Sequence, residues 1–196
     1  MTYEAGRRMK SRPESPRKTR GTVWLFAYGS LLWEPSLTRF CHHPALLRGY
    51  HRALCIYSYV YRGTKARPGI VLGLDRGGSC RGMVIELKGA AGKAALRKII
   101  ARENVTDVYR QRIVNADLLA GRRRRVRALT FVADREHGQY AGKLAPRTIL
   151  KLLRQGKGKK GRAADYLRET VARLEALGIR DRVLERIGRL VKQPGA

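Results

Sequence analysis

Cysteines are few in this sequence, and their arrangement suits neither a metal site nor a disulfide framework. Cys41, Cys55 and Cys80 are odd in number and lack the C-x-x-C spacing of zinc and redox motifs. Buried thiols in a reducing compartment explain them better, so we expect a cytoplasmic location. No apolar run approaches the roughly 20 residues that a membrane-spanning helix needs, and we expect no membrane partner.

Acidic residues are also scarce. Asp and Glu together number 15, against 43 Lys and Arg, which gives a formal net charge of +28 at pH 7. A charge of this size predicts non-specific attraction to polyanions, but it says little about the fold. With 196 residues, of which 43% are hydrophobic, the chain is long enough for one domain with a substantial core.

Many of the cations lie close to the amino terminus. Residues 1–21 are rich in Lys and Arg, contain two prolines and have almost no apolar side chains. Such a segment cannot bury enough apolar surface to offset the entropy lost on ordering, and it lacks the apolar centre of a secretory signal. We therefore predict a disordered basic tail over residues 1–21 and one folded domain over residues 22–196.

The first apolar segment ends in a turn of small residues. Residues 23–27, Val-Trp-Leu-Phe-Ala, form a continuous apolar run, which is typical of a strand buried on both faces. Tyr28, Gly29 and Ser30 follow, and Gly29 permits backbone angles that other residues resist. A strand that ends in this way leaves backbone N–H groups free to hold a carboxylate or an oxyanion. An ordinary turn after a core strand is the equally good alternative.

Further apolar runs predict more strands, over residues 45–59, 70–74, 81–87, 109–115 and 126–132. Residues 37–43 before them are expected to form an irregular connection, in which His42 and His43 are ordinary connector residues. Residues 75–78, Asp-Arg-Gly-Gly, are typical of a hairpin turn between two of the strands. The arginines at 122–125 are expected in a solvated turn, with a nucleic-acid site as the less favoured alternative.

A helix predicted over residues 90–103 ends with a carboxylate on its apolar stripe. Leu96, Ile99 and Ile100 repeat at helical spacing, and Glu103 occupies the next position of the same stripe. A carboxylate on a core-facing surface is costly unless the protein uses it, so Glu103 is a candidate general base. The alternative is that Glu103 lies exposed beyond the helix or pairs with Arg102.

The pattern of residues in the carboxy-terminal third of the sequence predicts three further helices. Pro146 is suited to the first turn of one helix, and residues 156–161, GKGKKG, are expected to form a flexible basic linker without P-loop spacing. Asp165 is expected to cap a helix that Gly178 ends and whose apolar face comprises Leu167, Val171, Leu174 and Leu177. A last helix starting at Asp181 is expected to bury Val183, Leu184, Ile187, Leu190 and Val191.

Five ordered blocks of this sequence resemble the ChaC-type γ-glutamylcyclotransferases. The first is Phe-Ala-Tyr-Gly-Ser-Leu-Leu-Trp at residues 26–33, and the second extends from Arg62-Gly63-Thr64 to Cys80. The third is Arg102-Glu103 followed by Tyr109, with Asp107 where many members have glycine. The last two are Asp165-Tyr166-Leu167 and Leu177-Gly178-Ile179-Arg180-Asp181. Together they cover about residues 22–191.

The resemblance implies an α+β fold, in which a small, mostly antiparallel β-barrel-like sheet is flanked by helices. It also implies an enzyme that needs no cofactor and no metal and that cleaves γ-glutamyl peptides, chiefly glutathione. The substrate's own α-amine attacks, which releases 5-oxoproline and, from glutathione, Cys-Gly. A basic nucleic-acid- or ribosome-associated module that kept the fold is the alternative, as is a relative with another γ-glutamyl substrate.

The resemblance further assigns roles to individual residues. Glu103 is implied as the catalytic acid and base. Binding of the γ-glutamyl group is implied for Leu25, Phe26, Ala27, Tyr28, Gly29, Ser30, Leu31, Tyr109 and Tyr140.

Overall fold

A closed barrel of five strands forms the centre of the computed structural model, which describes residues 21–121 and 124–192. The strands are β1 (Thr22–Ala27), β2 (Cys41–Ser58), β3 (Gly69–Lys88), β4 (Tyr109–Leu118) and β5 (Arg124–Ala133). Their order around the barrel is β1-β3-β2-β4-β5. All neighbours are antiparallel except β1 and β5, which close the barrel in parallel at Leu25 and Leu129. The α+β class with a mostly antiparallel, barrel-like sheet is confirmed.

Four helices flank the barrel: α1 (Gly89–Glu103), α2 (Pro146–Gln155), α3 (Ala163–Ala176) and α4 (Arg182–Lys192). Between α2 and α3 lies a short hairpin of β6 (Lys157–Gly158) and β7 (Gly161–Arg162). None of the helices in the described part of the chain is long and apolar enough to cross a membrane. Apart from Gly21, the predicted basic tail lies outside the described residues.

The hairpin turn predicted at residues 75–78 is wrong, because these residues lie within the single long strand β3. β2 and β3 pair along almost their whole lengths, with a register shift between Arg48 and Tyr50 on β2. Opposite this shift, Gly77 and Gly78 have φ of +96° and +68°. Because glycine adopts this backbone region at little cost, the strand bulges and bends there without leaving the sheet.

The prediction of an irregular connection over residues 37–43 is also wrong for its last three residues. β2 begins at Cys41, so His42, His43 and Pro44 are strand residues. Proline is tolerated here because this end of β2 pairs only with β3; pairing with β4 starts at Ala45. The His43 ring packs against Trp24, with 5.6 Å between ring centroids. Among the described residues, no group of His, Cys, Asp and Glu is suited to hold a metal ion.

The flexible linker predicted at residues 156–161 is an ordered hairpin that packs tightly against the loop before β3. A Cβ atom added to Gly158 would lie 2.5 Å from the carbonyl oxygen of Val60, which leaves no room for a side chain. This packing against a distant loop is what orders a sequence that is flexible by composition. The loop and the hairpin together form one side of the pocket described below.

The helices at the carboxy terminus begin slightly differently from the prediction. α3 starts before Asp165, whose carboxylate accepts a hydrogen bond from Arg168 at 2.9 Å instead of capping the helix. Gly178, with φ of +67°, follows the end of α3 as predicted. In α4, Leu184 and Ile187 are buried, but Val183 is 66% exposed, so its predicted burial is wrong.

Candidate active site

Strand β1 positions the turn that follows it, because β1 is held on both sides. It pairs with β3 along its length and with β5 at Leu25. The Thr130 hydroxyl of β5 donates to the carbonyl oxygen of Phe26 at 3.0 Å, and the Tyr28 hydroxyl donates to that of Phe131 at 2.9 Å. These contacts anchor the end of β1, after which Ser30–Trp33 form a 3₁₀ turn.

The turn leaves backbone donors available, as the sequence predicted. The N–H of Leu32 donates to the carbonyl oxygen of Gly29 at 2.9 Å, but those of Gly29, Ser30 and Leu31 have no acceptor among the described residues. The backbone angles of Gly29, φ of −135° and ψ of −132°, lie outside both the helical and the extended regions, as expected for a glycine at this turn. A Cβ on Gly29 would lie 3.5 Å from the Tyr166 hydroxyl, so glycine here leaves space inside the site.

Glu103 is the last residue of α1, and its side chain is only 15% exposed. Gly92, Ala95 and Ile99 form the buried face of the helix, and this face directs Glu103 toward the turn after β1. One carboxylate oxygen, Oε1, accepts hydrogen bonds from Nε and Nη2 of Arg102 at 2.9 and 2.7 Å. Within the described chain, Oε2 has no hydrogen-bond partner. The predicted pocket position and the alternative pairing with Arg102 therefore both hold.

Arg102 links Glu103 to the turn after β1. Its Nη1 also donates to Oε2 of Glu34, and its Nη2 donates to the Ser30 hydroxyl at 3.0 Å. Glu34 is itself held by the Ser36 hydroxyl, which donates to Oε1 at 3.0 Å. Burial disfavours the charge of Arg102, but the neighbouring Glu103 and Glu34 outweigh this effect and raise its pKa. The guanidinium group therefore stays charged and holds Glu103 in one orientation.

Three tyrosines, the buried Tyr28 and Tyr166 and the half-buried Tyr109, line the inner chamber with the carboxylate of Glu103. Burial raises the pKa of Tyr166 to about 12 and those of Tyr28 and Tyr109 well above the usual value, and the negative charge of Glu103 adds to the effect. All three hydroxyls are therefore neutral and can donate hydrogen bonds near neutral pH. Tyr109 uses its hydroxyl to bind the carbonyl oxygen of Leu72 at 2.7 Å.

These groups line a pocket of about 220 Å³ that continues into an inner chamber of about 30 Å³. Ser30, Glu103, Tyr109 and Tyr166 line both parts. The outer part carries aromatic rings and cations. There the Nζ of Lys160 lies 4.8 Å from the ring centroid of Tyr61. Arg62 lies 5.4 Å from the ring centroid of Tyr166. The arrangement suits a small anionic ligand.

Most, but not all, of the residues implied as ligand-binding lie in this site. Tyr28, Gly29, Ser30 and Leu31 line the inner chamber with Tyr109 and the implied catalytic residue Glu103. Leu25, Phe26 and Ala27 have 0% exposure, belong to the core beneath the turn and line neither part of the pocket. They position the turn, and their implied direct role in binding stays a prediction.

Tyr140 lies in a different cavity, on the outer side of β2 and β3. Its hydroxyl donates to Asp75 at 2.8 Å, and Asp75 also accepts a hydrogen bond from Arg135 at 2.8 Å. The neighbouring residue Gln139 faces the main pocket instead, and its side chain donates to the carbonyl oxygen of Tyr57 at 2.7 Å. A short Gln-Tyr match cannot tell which of two adjacent side chains points inward. Tyr140 lies outside the main pocket, and its implied role in binding stays a prediction.

The pocket residues that were not identified as site residues from the sequence include Glu34, Arg62, Arg102 and Tyr166. Arg62, Arg102 and Tyr166 lie in blocks that carry the family resemblance, which was a usable signal. Glu34 carried none, because it contacts Arg102 only through the tertiary fold. Asp107, where glycine was expected, has φ of +51°, so the left-handed backbone that glycine favours is retained after α1.

Solved structures with this architecture include a yeast enzyme. The crystal structure of a yeast γ-glutamylcyclotransferase specific to glutathione superposes with a TM-score of 0.79 at 18% sequence identity. The match covers 87% of this chain and 96% of the yeast chain. At this level of identity, the similarity shows that the two proteins share a fold.

Sequence comparisons find relatives of higher identity. The chain is 34% identical to the glutathione-specific γ-glutamylcyclotransferase of Escherichia coli K12, over 84% of this chain and 71% of that protein. It is 26% identical to glutathione-specific γ-glutamylcyclotransferase 1 of Danio rerio, over 80% of this chain and 81% of that protein. The model of the ChaC-like protein family matches residues 23–194. With its ordered motifs, barrel and pocket, the chain therefore belongs to the ChaC-like family.

Proposed function

We propose that this protein is a γ-glutamylcyclotransferase that converts glutathione into 5-oxoproline and Cys-Gly. The observation that carries the proposal is the position of Glu103, which lines the same small chamber as Gly29, Ser30 and Leu31, whose N–H groups are unpaired among the described residues. A fixed carboxylate and a set of backbone donors are what an intramolecular aminolysis needs. The names of the relatives from Escherichia coli and Danio rerio agree with this chemistry.

The reaction closes a five-membered ring within the substrate. The α-amine nitrogen of the γ-glutamyl group attacks the γ-carbonyl carbon, and the carbonyl π electrons move to its oxygen. When the carbonyl re-forms, the amide bond to cysteine breaks and the cysteine nitrogen leaves with a proton. Because the nucleophile and the electrophile belong to one molecule, holding the folded-back conformer supplies much of the rate enhancement.

Glu103 moves the proton in this scheme. The α-amine is an ammonium in water and must lose a proton before it can attack, and the unpartnered Oε2 of Glu103 accepts that proton. The same carboxyl group then protonates the cysteine nitrogen as it leaves. The attacking nitrogen loses its second proton as the ring closes, and this proton is balanced by the released amine, which becomes an ammonium. Arg102 holds Oε1, so the carboxyl group keeps one orientation through both transfers.

The turn after β1 and the cations at the entrance bind the rest of the substrate. Backbone N–H groups of Gly29, Ser30 and Leu31 stabilise the negative charge that develops on the γ-carbonyl oxygen. The neutral hydroxyl of Tyr166 adds one further donor beside Glu103, since those of Tyr28 and Tyr109 already donate to Phe131 and Leu72. Arg62 and Lys160 attract the carboxylates of glutathione, which is an anion at neutral pH.

The direct test is release of 5-oxoproline by the purified protein from glutathione, measured beside γ-Glu-Ala and other γ-glutamyl amines. We expect turnover of glutathione to exceed that of the dipeptides. Equal turnover of γ-Glu-Ala would assign the protein to another γ-glutamyl substrate. Failure to release 5-oxoproline from any of them, in a folded protein, would contradict the proposed reaction.

Replacing Arg102 with Gln tests how the carboxylate is held. We expect kcat to fall by about 10–10²-fold, because Glu103 loses both hydrogen bonds that orient it and a small misplacement of a reacting group is costly. KM should change much less, since Arg102 donates to protein groups. Arg102→Lys keeps the charge but loses the forked pair of donors. Its kcat should therefore lie between those of the wild type and Arg102→Gln. An unchanged kcat for Arg102→Gln would show that this orientation does not matter.

Location and partners complete the proposal. The three cysteines are free, and burial raises the pKa of Cys55 to about 12, so this thiol is unreactive. Free thiols, together with a substrate that cells keep as a reduced thiol, support a cytoplasmic site of action. The net charge of +28 supports additional contact with polyanions.

A further inference from the structure

Two long segments of the sequence contain Lys and Arg but no acidic residue. Residues 35–74 and 137–164 contain no Asp or Glu. The second of these segments nevertheless carries Lys143, Arg147, Lys151, Arg154, Lys157, Lys159, Lys160 and Arg162. The proposed reaction involves only the cations at the pocket entrance, so it does not account for the rest.

The fold brings the two segments together on one surface. The side chain of Gln155, at the end of α2, donates to the carbonyl oxygen of Pro68 at 2.8 Å and fastens the loop before β3 to the helix. Arg67 in that loop then shares a cleft of about 440 Å³ with α2, whose side chains Arg147, Leu150, Lys151 and Arg154 line it. We name the exposed side of α2, together with Arg67, the α2 surface.

Three cations of the α2 surface are not neutralised by ion pairs among the described residues. Arg67, Arg147 and Lys151 have no ion-pair partner within residues 21–121 and 124–192. The first two acidic residues of α3 are already engaged: Asp165 binds Arg168 at 2.9 Å, and Glu169 lies 3.6 Å from Arg62. An anionic ligand would therefore find several free cations within one cleft.

The chemistry of the α2 surface favours phosphate over an apolar partner. The apolar face of α2, with Leu152 at 6% and Leu153 at 0% exposure, is packed into the protein core and cannot enter a lipid bilayer. Protein interfaces have an apolar or aromatic centre, but the large exposed apolar side chains, Val105, Ile113, Leu119 and Val183, all lie on other elements. What remains is cationic side chains, which are the groups that contact nucleic-acid phosphates.

We propose that the α2 surface binds the sugar–phosphate backbone of nucleic acid, without sequence preference. Arg67, Arg147 and Lys151 supply contacts to successive phosphates, and the α2 surface presents no aromatic side chain for base stacking. These three residues lie outside the lining of the catalytic pocket. Binding therefore leaves the pocket open, and the protein holds nucleic acid and turns over its substrate independently.

A triple charge reversal, Arg67→Glu, Arg147→Glu and Lys151→Glu, tests the proposal in the full chain. Binding to a short labelled DNA duplex is measured by fluorescence anisotropy as a function of salt. Each lost phosphate contact removes about 0.9 from the slope of log K against log salt, so three contacts remove about 2.7 and weaken binding by roughly 10²-fold at 0.1 M salt. The matched control is Lys93→Glu, Arg97→Glu and Lys98→Glu, which makes the same change in net charge on the exposed side of α1.

The outcomes separate the proposal from its rivals. It is supported if the α2 triple variant loses duplex binding while the α1 triple variant and the kcat of both stay near wild type. Equal losses in both variants would show that net charge alone drives binding, and no loss in either would remove the α2 surface from it. If the α2 triple variant instead loses binding only to vesicles of phosphatidylcholine and phosphatidylserine, the partner is a membrane surface and the proposal is wrong.

Discussion

Glu103→Gln is expected to lower turnover of glutathione by about 10²–10⁴-fold, the range for loss of a general acid or base. Gln has nearly the same shape as Glu, and its side-chain oxygen can still accept a hydrogen bond from Arg102. It cannot accept a proton from the substrate ammonium or return one to the leaving amine. The proposed step therefore loses its proton carrier while the pocket keeps its shape.

Binding and stability serve as controls for this variant. The affinity for 5-oxoproline and the melting temperature should change little, because Glu34 still pairs with Arg102 when Glu103 is neutral. Glu136→Gln makes the same substitution at an exposed residue and should leave kcat unchanged. The measurement is single-substrate kinetics on folded protein. Near-wild-type turnover by Glu103→Gln would remove this residue from the mechanism.

Gly29→Val is expected to abolish measurable activity, a loss of at least about 10²-fold, because it displaces the substrate from the turn that binds it. The reason is the space around residue 29. A Cβ at residue 29 already lies 3.5 Å from the Tyr166 hydroxyl, and the two methyl groups of Val would extend into a chamber of about 30 Å³. No ligand group could then reach the N–H groups of the turn.

Two further variants are expected to lose less activity than Gly29→Val. Gly29→Ala adds only the Cβ, which makes ordinary contacts with Tyr166 and Leu72, so its loss should be much smaller. Ser30→Ala should also be milder, because it keeps the backbone donors and removes one hydrogen bond from Arg102. The kcat and KM of the three proteins are compared. If Ser30→Ala proves more damaging than Gly29→Val, the hydroxyl and not the backbone is the working group.

The elements that sequence reasoning placed well are those with a strong local signal. The apolar stripe of α1, the strand before Tyr28, Pro146 at the start of α2 and Gly178 after α3 all lie where the pattern indicated. In each case neighbouring residues along the chain suffice, because helical spacing, continuous apolar runs and proline or glycine geometry are local properties. The same holds for Glu103, whose position on the stripe is read by counting residues.

The errors arise where distant segments decide the structure. Asp75–Gly78 reads as a hairpin turn, but β2 lies alongside and continues the sheet through a bulge. Residues 156–161 read as a flexible linker, but contact with the loop before β3 orders them as a hairpin. Tyr140 and Gln139 could not be distinguished, because the direction of a side chain depends on the strand that it faces.

The sequence by itself determined the apolar periodicity that builds the barrel and helices, the family motifs and the carboxylate at the end of α1. Only the tertiary structure decided what that carboxylate contacts. Arg102 and Glu34 are 68 residues apart, and Tyr28 and Phe131 are 103 apart, yet these pairs hold the site together. Such contacts depend on how closure of the barrel brings β1, α1 and α3 close together. Patterns among neighbouring residues in the sequence do not determine this arrangement.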